Sequence, residues 1–332
     1  MKKIVLIFVT AFLFTTQAFA ETAVKYNKEL DGFDYPFDVQ TFHFNSQNQE
    51  LKMRYMDIGN KDADKVIVLL HGKNFSGYYW EQTANDLLKK NYRVIIPDQI
   101  GFGKSSKPAS YQYSFPQLAL NTKSLLDSLN IKKYDVVGHS MGGMVAVTFA
   151  VNYSASVNKL ILINPIGLED YSKYVEFKDT NFFYKGQLAS TLDKARSYQQ
   201  KNYYDGKWSN KYEELLVPLK GMLAGEDWQV VAWNNALTYG PIFAENMVDK
   251  FPQITNDTFL IIGTRDNTGP GRGFKKPGVT RTLGDYKNLG KNAHKLIKGS
   301  TLYELDGLGH MPHYEDYSAF IKAFDKALAE SE

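Results

Sequence analysis

The sequence contains no cysteine. This absence excludes disulfide bonds, a thiol nucleophile and lipid attachment through cysteine. The fold must therefore depend on its hydrophobic core. The chain has 332 residues, of which 43% are hydrophobic and 23% are charged. A chain of this length and composition can bury a large core in one domain and still carry an insertion.

An excess of charge of one sign is also lacking, because the formal net charge is only +3. Such a chain has no extended basic surface, and we expect no nucleic-acid partner. The sequence has neither a GxxxxGK[ST] phosphate-binding pattern nor a histidine pair at metal-ligand spacing. We therefore expect no cofactor and no metal site.

Long apolar runs are scarce, and the one that stands out covers residues 4–14. It is shorter than the roughly 20 residues that a membrane-spanning helix needs. Two lysines precede it, and an A-x-A cleavage pattern follows at residues 18–20. We interpret residues 1–20 as a signal peptide cleaved after Ala20, with a membrane anchor as the alternative. The mature protein is then expected in the periplasm or outside the cell, without a stable membrane anchor.

The most informative stretch is YDVVGHSMGG, at residues 134–143. A short apolar run leads into a GxSxG pattern centred on Ser140. Glycines at 138 and 142 permit a tight strand-to-helix turn that lifts the serine hydroxyl clear of a sheet. The turn also aims the free N–H groups of the next helix at any group bonded to that hydroxyl. The alternative is a glycine-rich turn with an incidental serine, and the rest of the chain must decide.

Apolar runs typical of buried strands alternate with helical segments on both sides of this motif. The predicted strands cover residues 39–44, 51–56, 65–70, 92–96, 157–163, 258–262 and 301–305, and one more strand ends at the Ser140 turn. The first two form a hairpin around a polar turn, and the others suit a parallel sheet built of βαβ units. In such sheets the active site lies at the carboxyl ends of the strands.

The alternation stops between Leu168 and Lys250, where helix-like segments and many aromatic residues replace the strands. The helix-like segments cover residues 188–199, 212–223 and 228–237. We interpret this region as a helical insertion over the strand ends. Most of its aromatic residues should form its own core, while a minority line an apolar pocket. The predicted organisation is a signal peptide at 1–20, a first core segment at 21–166, a helical cap at 167–250 and a second core segment at 251–332.

Three residues suit nucleophilic catalysis, and each follows a predicted strand. A serine hydroxyl needs a base, and the base needs an orienting group. Ser140, Asp266 and His310 occur in the chain order expected for such a sheet. His313 is the competing base, whereas Asp306 is too close in sequence to His310 to orient it. The strand before the insertion ends at Asn164-Pro165 and offers no acid as a rival to Asp266.

An oxyanion site needs N–H donors, and we expect them from the backbone of Met141 and Lys73. The side chains of Lys73 and Asn74 either face solvent or contact substrate. Further substrate-binding candidates are Asn74, His139, Trp208 and Trp233. Five basic residues near the end of the chain either recognise an acidic substrate or form a solvated loop; they are Arg265, Arg272, Lys275, Lys276 and Arg281.

Five motifs in order now resemble those of the α/β-hydrolase superfamily over residues 40–330. They are HGKN (71–74), PDQIGFGKSSKP (97–108), GHSMGG (138–143), GTRD (263–266) and GHMPHYED (309–316). The resemblance implies an eight-stranded, mostly parallel sheet flanked by helices, a helical cap, and a catalytic triad of Ser140, Asp266 and His310. The chain looks most similar to the capped serine hydrolases, which include carboxylesterases, lipases and C–C hydrolases, and within them to a secreted bacterial subgroup.

Two positions depart from the patterns of this superfamily. Asn74 replaces the proline common in the H-G-x-P turn, which leaves the geometry of the oxyanion turn open. Met141 replaces the tryptophan that follows the nucleophile in members that remove N-terminal proline. A serine at position 140 also argues against dehalogenases and epoxide hydrolases, which use aspartate there.

The predicted function is hydrolysis of carboxylic esters of small to medium, largely apolar substrates through an acyl-enzyme on Ser140. A C–C hydrolase, an amidase or thioesterase, and an acyltransferase would share the same triad. A binding protein on an inactive hydrolase scaffold is the alternative from a different class. The acyl-chain length and the oligomeric state stay open.

Overall fold

The computed structural model describes residues 24–329, and the predicted signal peptide lies outside the described residues. Within that range eight strands form one sheet, in the order β1-β2-β4-β3-β5-β6-β7-β8. The strands are β1 Val39–Ser46, β2 Gln49–Ile58, β3 Lys65–Leu70, β4 Tyr92–Pro97, β5 Tyr134–His139, β6 Val157–Ile163, β7 Asp257–Gly263 and β8 Thr301–Leu305. Strand β2 runs antiparallel to both neighbours and every other pairing is parallel, which confirms the predicted mostly parallel sheet.

Helices cover both faces of the sheet. The core helices are α1 Glu81–Lys89, α2 Phe115–Ser128, α3 Met141–Asn152, α10 Tyr286–Leu296, α11 Pro312–Glu315 and α12 Tyr317–Ala329. Helices α2, α3 and α10 share one buried apolar cluster with the sheet, and α1 and α12 share the other. Central strands such as β5 are therefore buried along their whole length, which explains their continuous apolar runs.

The β1–β2 hairpin shows the alternating burial of a sheet edge that has one face on the core. Its turn consists of Gln47 and Asn48, both with positive φ (52° and 57°). Two left-handed residues match the twist of a hairpin. The predicted turn was longer, because the strands extend further than the apolar pattern alone indicates.

The cap lies between β6 and β7. Its helices are α4 Thr180–Leu188, α5 Leu192–Asn202, α6 Asn210–Glu214, α7 Val217–Ala224, α8 Trp228–Leu237 and α9 Tyr239–Ala244. The sequence predicted helices over 188–199, 212–223 and 228–237, and only the third coincides with an observed helix. Thr191 caps a new helix inside the first interval, and Pro218 lies in the first turn of α7 inside the second.

The first described residues form an N-terminal arm, residues 24–38, that connects the cap to the core. The Tyr26 N–H donates to the Gly221 carbonyl of α7 (3.0 Å), and the Lys28 N–H donates to the Asp227 carboxylate (3.0 Å). At its other end the Tyr35 hydroxyl donates to the Asp98 carboxylate (2.7 Å). The arm therefore fixes α7 relative to the sheet.

None of the helices within residues 24–329 has both the length and the apolar character needed to cross a membrane.

Candidate active site

Ser140 occupies the turn between β5 and α3 in a strained conformation, with φ 55° and ψ −121°. A Cβ atom at Gly138 would overlap the backbone carbonyl of Gly142, and one at Gly142 would overlap the Leu70 carbonyl oxygen. Neither obstacle is a movable side chain. The two glycines therefore permit the close approach of helix and strands that presents the serine hydroxyl.

The structure brings Ser140, His310 and Asp266 together in one hydrogen-bonded chain. The Ser140 hydroxyl lies 2.9 Å from His310 Nε2, and His310 Nδ1 lies 2.7 Å from Asp266 Oδ2. Since a carboxylate only accepts, Nδ1 carries the proton and Nε2 is free to accept from the serine. All three side chains are buried, which limits the competition of water for these bonds. The arrangement can activate a serine hydroxyl as a nucleophile.

Asn164, at the end of β6, orients the carboxylate of the triad. Its Nδ2 donates to Asp266 Oδ2 (2.9 Å), while its own Oδ1 accepts from the Gly263 N–H (2.9 Å). The Thr268 N–H donates to Asp266 Oδ1 (2.8 Å). In the sequence Asn164 stood out only as a position without an acid, and this role was not predicted. Its one signal is that asparagine tolerates the positive φ, here 37°, found at this strand end.

His139 holds the loop of the catalytic base, and this corrects its prediction as a substrate-binding residue. Its Nε2 lies 2.8 Å from the His310 carbonyl, so Nε2 donates and Nδ1 accepts from the Tyr79 hydroxyl (3.0 Å). That hydroxyl in turn accepts from the Gly72 N–H (2.9 Å). Burial lowers the pKa of His139 well below its ordinary value, which keeps the ring neutral. A continuous chain thus joins the base loop to the His-Gly turn.

The predicted oxyanion donors border the serine hydroxyl. Met141 is the first residue of α3, so its N–H has no acceptor one turn earlier in the helix. A Cβ on Gly72 would lie 3.0 Å from Ser140 Cβ and 3.5 Å from its Oγ, which places the Gly72–Lys73 backbone against the nucleophile. His71 stiffens that turn, because Nδ1 lies 2.9 Å from the Gly72 carbonyl and Nε2 accepts from the Gln99 N–H (3.0 Å).

The Lys73 side chain does not face solvent, which was one of its two predicted orientations. It is only 9% exposed and reaches the cap. Its Nζ donates to Asn235 O (2.7 Å), Asn235 Oδ1 (3.0 Å) and Thr238 Oγ1 (2.7 Å), and lies 4.0 Å from the centre of the Tyr239 ring. One residue therefore links the oxyanion turn to helix α8.

A cavity of about 690 Å³ lies between the strand ends and the cap, and Ser140 and Asn74 are among the residues that line it. Its apolar walls include Ile166, Phe182, Phe183, Leu219, Ile242 and Phe243. The side chain of Asn74 lies beside the Tyr203 hydroxyl, and the Tyr203 ring packs 4.7 Å from that of His310. The site can accept an apolar substrate directly at the serine hydroxyl.

Two tryptophans predicted to bind substrate lie outside this cavity. Trp208 Nε1 donates to Glu213 (2.9 Å) within the cap, and Trp233 Nε1 donates to the Ala109 carbonyl (2.7 Å) on the core. Both predictions are corrected because hydrogen bonds turn the indoles toward structural partners. His313, the competing base, stacks on Trp80 with ring centres 5.0 Å apart and has no hydrogen bond to either ring nitrogen among the described residues.

Most of the five basic residues singled out in the sequence have structural partners. Arg265 pairs with Glu315, and Arg281 Nε lies 3.1 Å from Glu169. Lys275 and Lys276 donate to backbone carbonyls. Of the five, only Arg272 belongs to the cavity lining. The segment of residues 265–281 is therefore held in place at the edge of the site by these contacts and is not a free basic loop. Within residues 24–329, no group of three or more histidine, aspartate or glutamate side chains is placed to hold a metal ion.

Comparisons with known proteins identify the family to which this fold belongs. The family described as "alpha/beta hydrolase fold" matches residues 65–273. The chain is 41% identical to a probable hydrolytic enzyme from Pseudomonas aeruginosa PAO1, with a TM-score of 0.90 over 93% of this chain and 99% of that one.

Two relatives with named reactions are more distant. A 2-hydroxy-6-oxononadienedioate/2-hydroxy-6-oxononatrienedioate hydrolase from Comamonas testosteroni is 26% identical over 231 residues, 63% of this chain and 79% of that protein. A cis-3-alkyl-4-alkyloxetan-2-one decarboxylase from Shewanella oneidensis is 32% identical over 125 residues, 37% of this chain. The latter match spans only 38% of the relative's length.

Proposed function

The chain belongs to the alpha/beta hydrolase family, and from this premise we propose that it is a serine hydrolase of carboxylic esters with small to medium, largely apolar groups. The observation that carries the proposal is the continuous chain from Asp266 through His310 to Ser140, with distances of 2.7 and 2.9 Å, at the base of an apolar cavity. The substrate is a small molecule, and the reaction needs no group beyond the protein and water.

In the proposed reaction Ser140 Oγ attacks the ester carbonyl while its proton moves to His310 Nε2. The N–H groups of Met141 and Lys73 bind the oxyanion of the tetrahedral intermediate. When this intermediate collapses, His310 gives the proton to the leaving alcohol, and the acyl group stays on Ser140. His310 then takes a proton from water, whose attack releases the acid and restores the serine. Asp266 keeps the ring in the required tautomer and stabilises its charged form.

The first 20 residues support a periplasmic or secreted location for this activity, because their pattern is typical of a signal peptide. An apolar ester outside the cytoplasm is then the expected type of substrate. Activity in the periplasmic fraction, with a mature N-terminus at Glu21, would support this location. An intact N-terminus in the cytoplasmic fraction would contradict it.

A C–C bond hydrolase is a second candidate, favoured by the similarity to the Comamonas testosteroni enzyme over 231 residues. The same triad and oxyanion donors would serve that reaction, with His310 giving its proton to the leaving carbon instead of to an alcohol oxygen. Turnover of a vinylogous diketone that exceeds turnover of every ester tested would replace the ester proposal with this one.

The deciding experiment measures hydrolysis of p-nitrophenyl esters with acyl chains from two to sixteen carbons. Wild-type protein is compared with Ser140→Ala, whose folding is checked by circular dichroism. We expect turnover that disappears in the variant, and the chain-length profile reports the size of the cavity. Labelling of Ser140 by a fluorophosphonate without ester turnover would mean an active triad with a different substrate. The absence of both turnover and labelling would overturn the serine-hydrolase proposal in favour of a binding protein.

A further inference from the structure

The charged side chains that line the cavity have one sign. Within the described part of the chain, the lining includes no aspartate or glutamate but four basic residues, namely Lys73, Lys107, Lys194 and Arg272. None of these four forms an ion pair with a carboxylate of residues 24–329. The chain as a whole is almost neutral, so this bias is local to the cavity.

Two of these cations, Lys73 and Lys107, are buried beside one loop, residues 101–107. They are 9% and 7% exposed. Lys107 Nζ donates to the carbonyls of Gly103 (2.6 Å) and Ser105 (3.2 Å), and Lys73 Nζ lies 5.9 Å from the ring of Phe102. Both ammonium groups therefore flank the loop of residues 101–107, where uncharged oxygens are their partners.

The nearby carboxylate of Asp98 is already engaged by other groups. One of its oxygens accepts from the Gly77 N–H (2.7 Å), and the other accepts from the Lys104 N–H (2.7 Å) and the Tyr35 hydroxyl (2.7 Å). An ammonium has three N–H donors, and Lys107 uses two of them on carbonyls. One donor of Lys107 is thus left for a ligand.

Burial of an ammonium among neutral groups is unfavourable by several kcal/mol unless a counter-ion compensates it. The cost appears in the titration of both residues. Burial lowers the pKa of Lys73 well below its ordinary value, and it lowers the pKa of Lys107 to about 8 although Asp98 and Glu29 act in the opposite direction. An anion in the cavity would reverse this cost, so the unpaired site favours an anionic ligand.

We propose that the part of the cavity beside residues 101–107 is an anion subsite, and that the natural ester carries a carboxylate that bonds to the free donor of Lys107 and is attracted by the charge of Lys73, whose three donors are engaged in the cap. This inference rests on the proposed function for its kinetic consequences, but the subsite can be tested without catalysis. A carboxylate fits better than a phosphate dianion, because few donors remain unused at the two ammonium groups. The apolar walls would hold the chain between the carboxylate and the scissile ester.

The first test compares matched pairs of substrates on the wild-type protein. Mono-p-nitrophenyl esters of dicarboxylic acids with four to ten carbons are compared with the same compounds after methylation of the free carboxylate. A second series carries the carboxylate on the alcohol half. At the best chain length we expect kcat/KM to be at least about tenfold higher for the charged member, with a preference that weakens in high salt. A preference for the methylated member throughout would overturn the proposal.

The second test removes the cations singly in Lys107→Met and Lys73→Met. Lys276→Met serves as the charge-matched control, because this exposed lysine donates to the Ser172 carbonyl away from the cavity. The readout is the ratio of kcat/KM for charged and methylated substrates, which cancels any general effect of Lys73 on the cap. We expect the ratio to fall toward one in both cavity variants and to stay unchanged in the control. An equal loss for both substrates would mean that the lysines act on the oxyanion instead, and would overturn the inference.

A third measurement separates this inference from the ester proposal. Calorimetry on Ser140→Ala compares binding of monomethyl adipate with that of dimethyl adipate, and needs no turnover. Preferential binding of the monoanion that disappears in Ser140→Ala/Lys107→Met would support the subsite even if no ester were hydrolysed. Equal or undetectable binding of the two, beside normal ester turnover by the wild type, would leave the hydrolase proposal standing and refute the anion subsite.

Discussion

The sheet core and the cap position their polar groups by different means. In the core, backbone geometry positions the polar groups. Gly138 and Gly142 have no space for a Cβ, and Ser140 has a strained φ. In the cap, stacked rings and single side-chain hydrogen bonds dominate. The Phe183 ring, for example, stacks on Tyr239 with centres 4.5 Å apart.

This difference suggests that the core determines the rate of the chemical step and that the cap determines the choice of substrate. A nucleophile and its base must keep their distances within a few tenths of an ångström, and a rigid backbone provides that precision. A cavity wall needs only the right shape, and side chains that repack can change it at modest cost. Substitutions in the core should therefore reduce kcat, whereas those in the cap should alter KM and the choice of substrate.

The largest expected contrast is between two helical glycines, one in each region. In Gly142→Ala the new Cβ meets the Leu70 backbone, which cannot move, so we expect loss of all activity and a decrease of about 3 kcal/mol in the free energy of unfolding. In Gly186→Ala, in the cap helix α4, no heavy atom lies within 4 Å of the new Cβ, so activity should be retained and the free energy of unfolding should rise by up to about 1 kcal/mol. Urea unfolding and ester hydrolysis measure both. Equal changes in the free energy of unfolding of the two variants would contradict the expected contrast between core and cap.

A smaller effect is expected at Asn164. Asn164→Ala removes one of the hydrogen bonds that hold the Asp266 carboxylate, which should lower kcat by roughly tenfold to a hundredfold with little change in KM. The matched cap variant is Asn235→Ala, which removes the amide that Lys73 contacts and should change KM more than kcat. Steady-state kinetics on both variants would contradict this prediction if the same parameter changed in each.

Acid should destabilise the core rather than the cap. His71, His139 and His313 are buried in the core and burial lowers the pKa of each, that of His313 to about 3, whereas residues 167–250 contain no histidine. The unfolded chain binds protons below about pH 6.5 and the folded chain does not, so stability is complete above that pH and falls below it. The slope is about 1.4 kcal/mol per pH unit for each histidine that stays neutral.

Urea unfolding of the wild type and of His313→Phe at pH 7, 6 and 5 measures this slope, with the pH values chosen to bracket the histidine range. The phenyl ring keeps the stack on Trp80, and the imidazole has no hydrogen bond to lose among the described residues. We expect a shallower acid slope in the variant. An unchanged slope would show that His313 does not contribute.

The smallest effect is expected from Phe183→Leu in the cap. The shorter side chain leaves the stacks with Tyr239 and Phe243 and widens the cavity. We expect the preferred acyl chain to lengthen, with kcat for short esters changed less than tenfold and a stability loss of about 1 kcal/mol. The chain-length profile of p-nitrophenyl esters provides the measurement. A large fall in kcat at unchanged chain-length preference would contradict the division between core and cap.

The same division decides what the sequence could predict. Strand runs such as residues 157–163 and the turn at Ser140 follow from local patterns, because burial on both faces and the need for glycine are visible in a few neighbouring residues. The order of Ser140, Asp266 and His310 along the chain was predictable for the same reason, since each follows a strand. The structure places the three within hydrogen-bond distance.

Roles that depend on distant packing were not predictable. The sequence shows that Asn164 carries no charge, but it does not show the contact with Asp266, because the two residues are 102 positions apart and follow different strands. Lys73 contacts Asn235 of helix α8, which is 162 residues away in the sequence, and no local sequence pattern indicates this contact. Trp208 and Trp233 were assigned to the pocket because aromatic residues often line one, yet their hydrogen bonds to Glu213 and Ala109 decided otherwise.

The N-terminal arm has a consequence for the order in which the molecule folds. Leu30 of the arm lines the cavity, and the contact of Lys28 with Asp227 closes a loop of 199 residues. Contacts so distant along the chain form slowly, because the entropy of loop closure must be overcome before they contribute. Ser140, Asp266 and His310 all lie downstream of the arm, so a chain that starts at β1 would retain them but lose one wall of the cavity. The substrate range of this hydrolase would then change in an engineered truncation that leaves its chemistry intact.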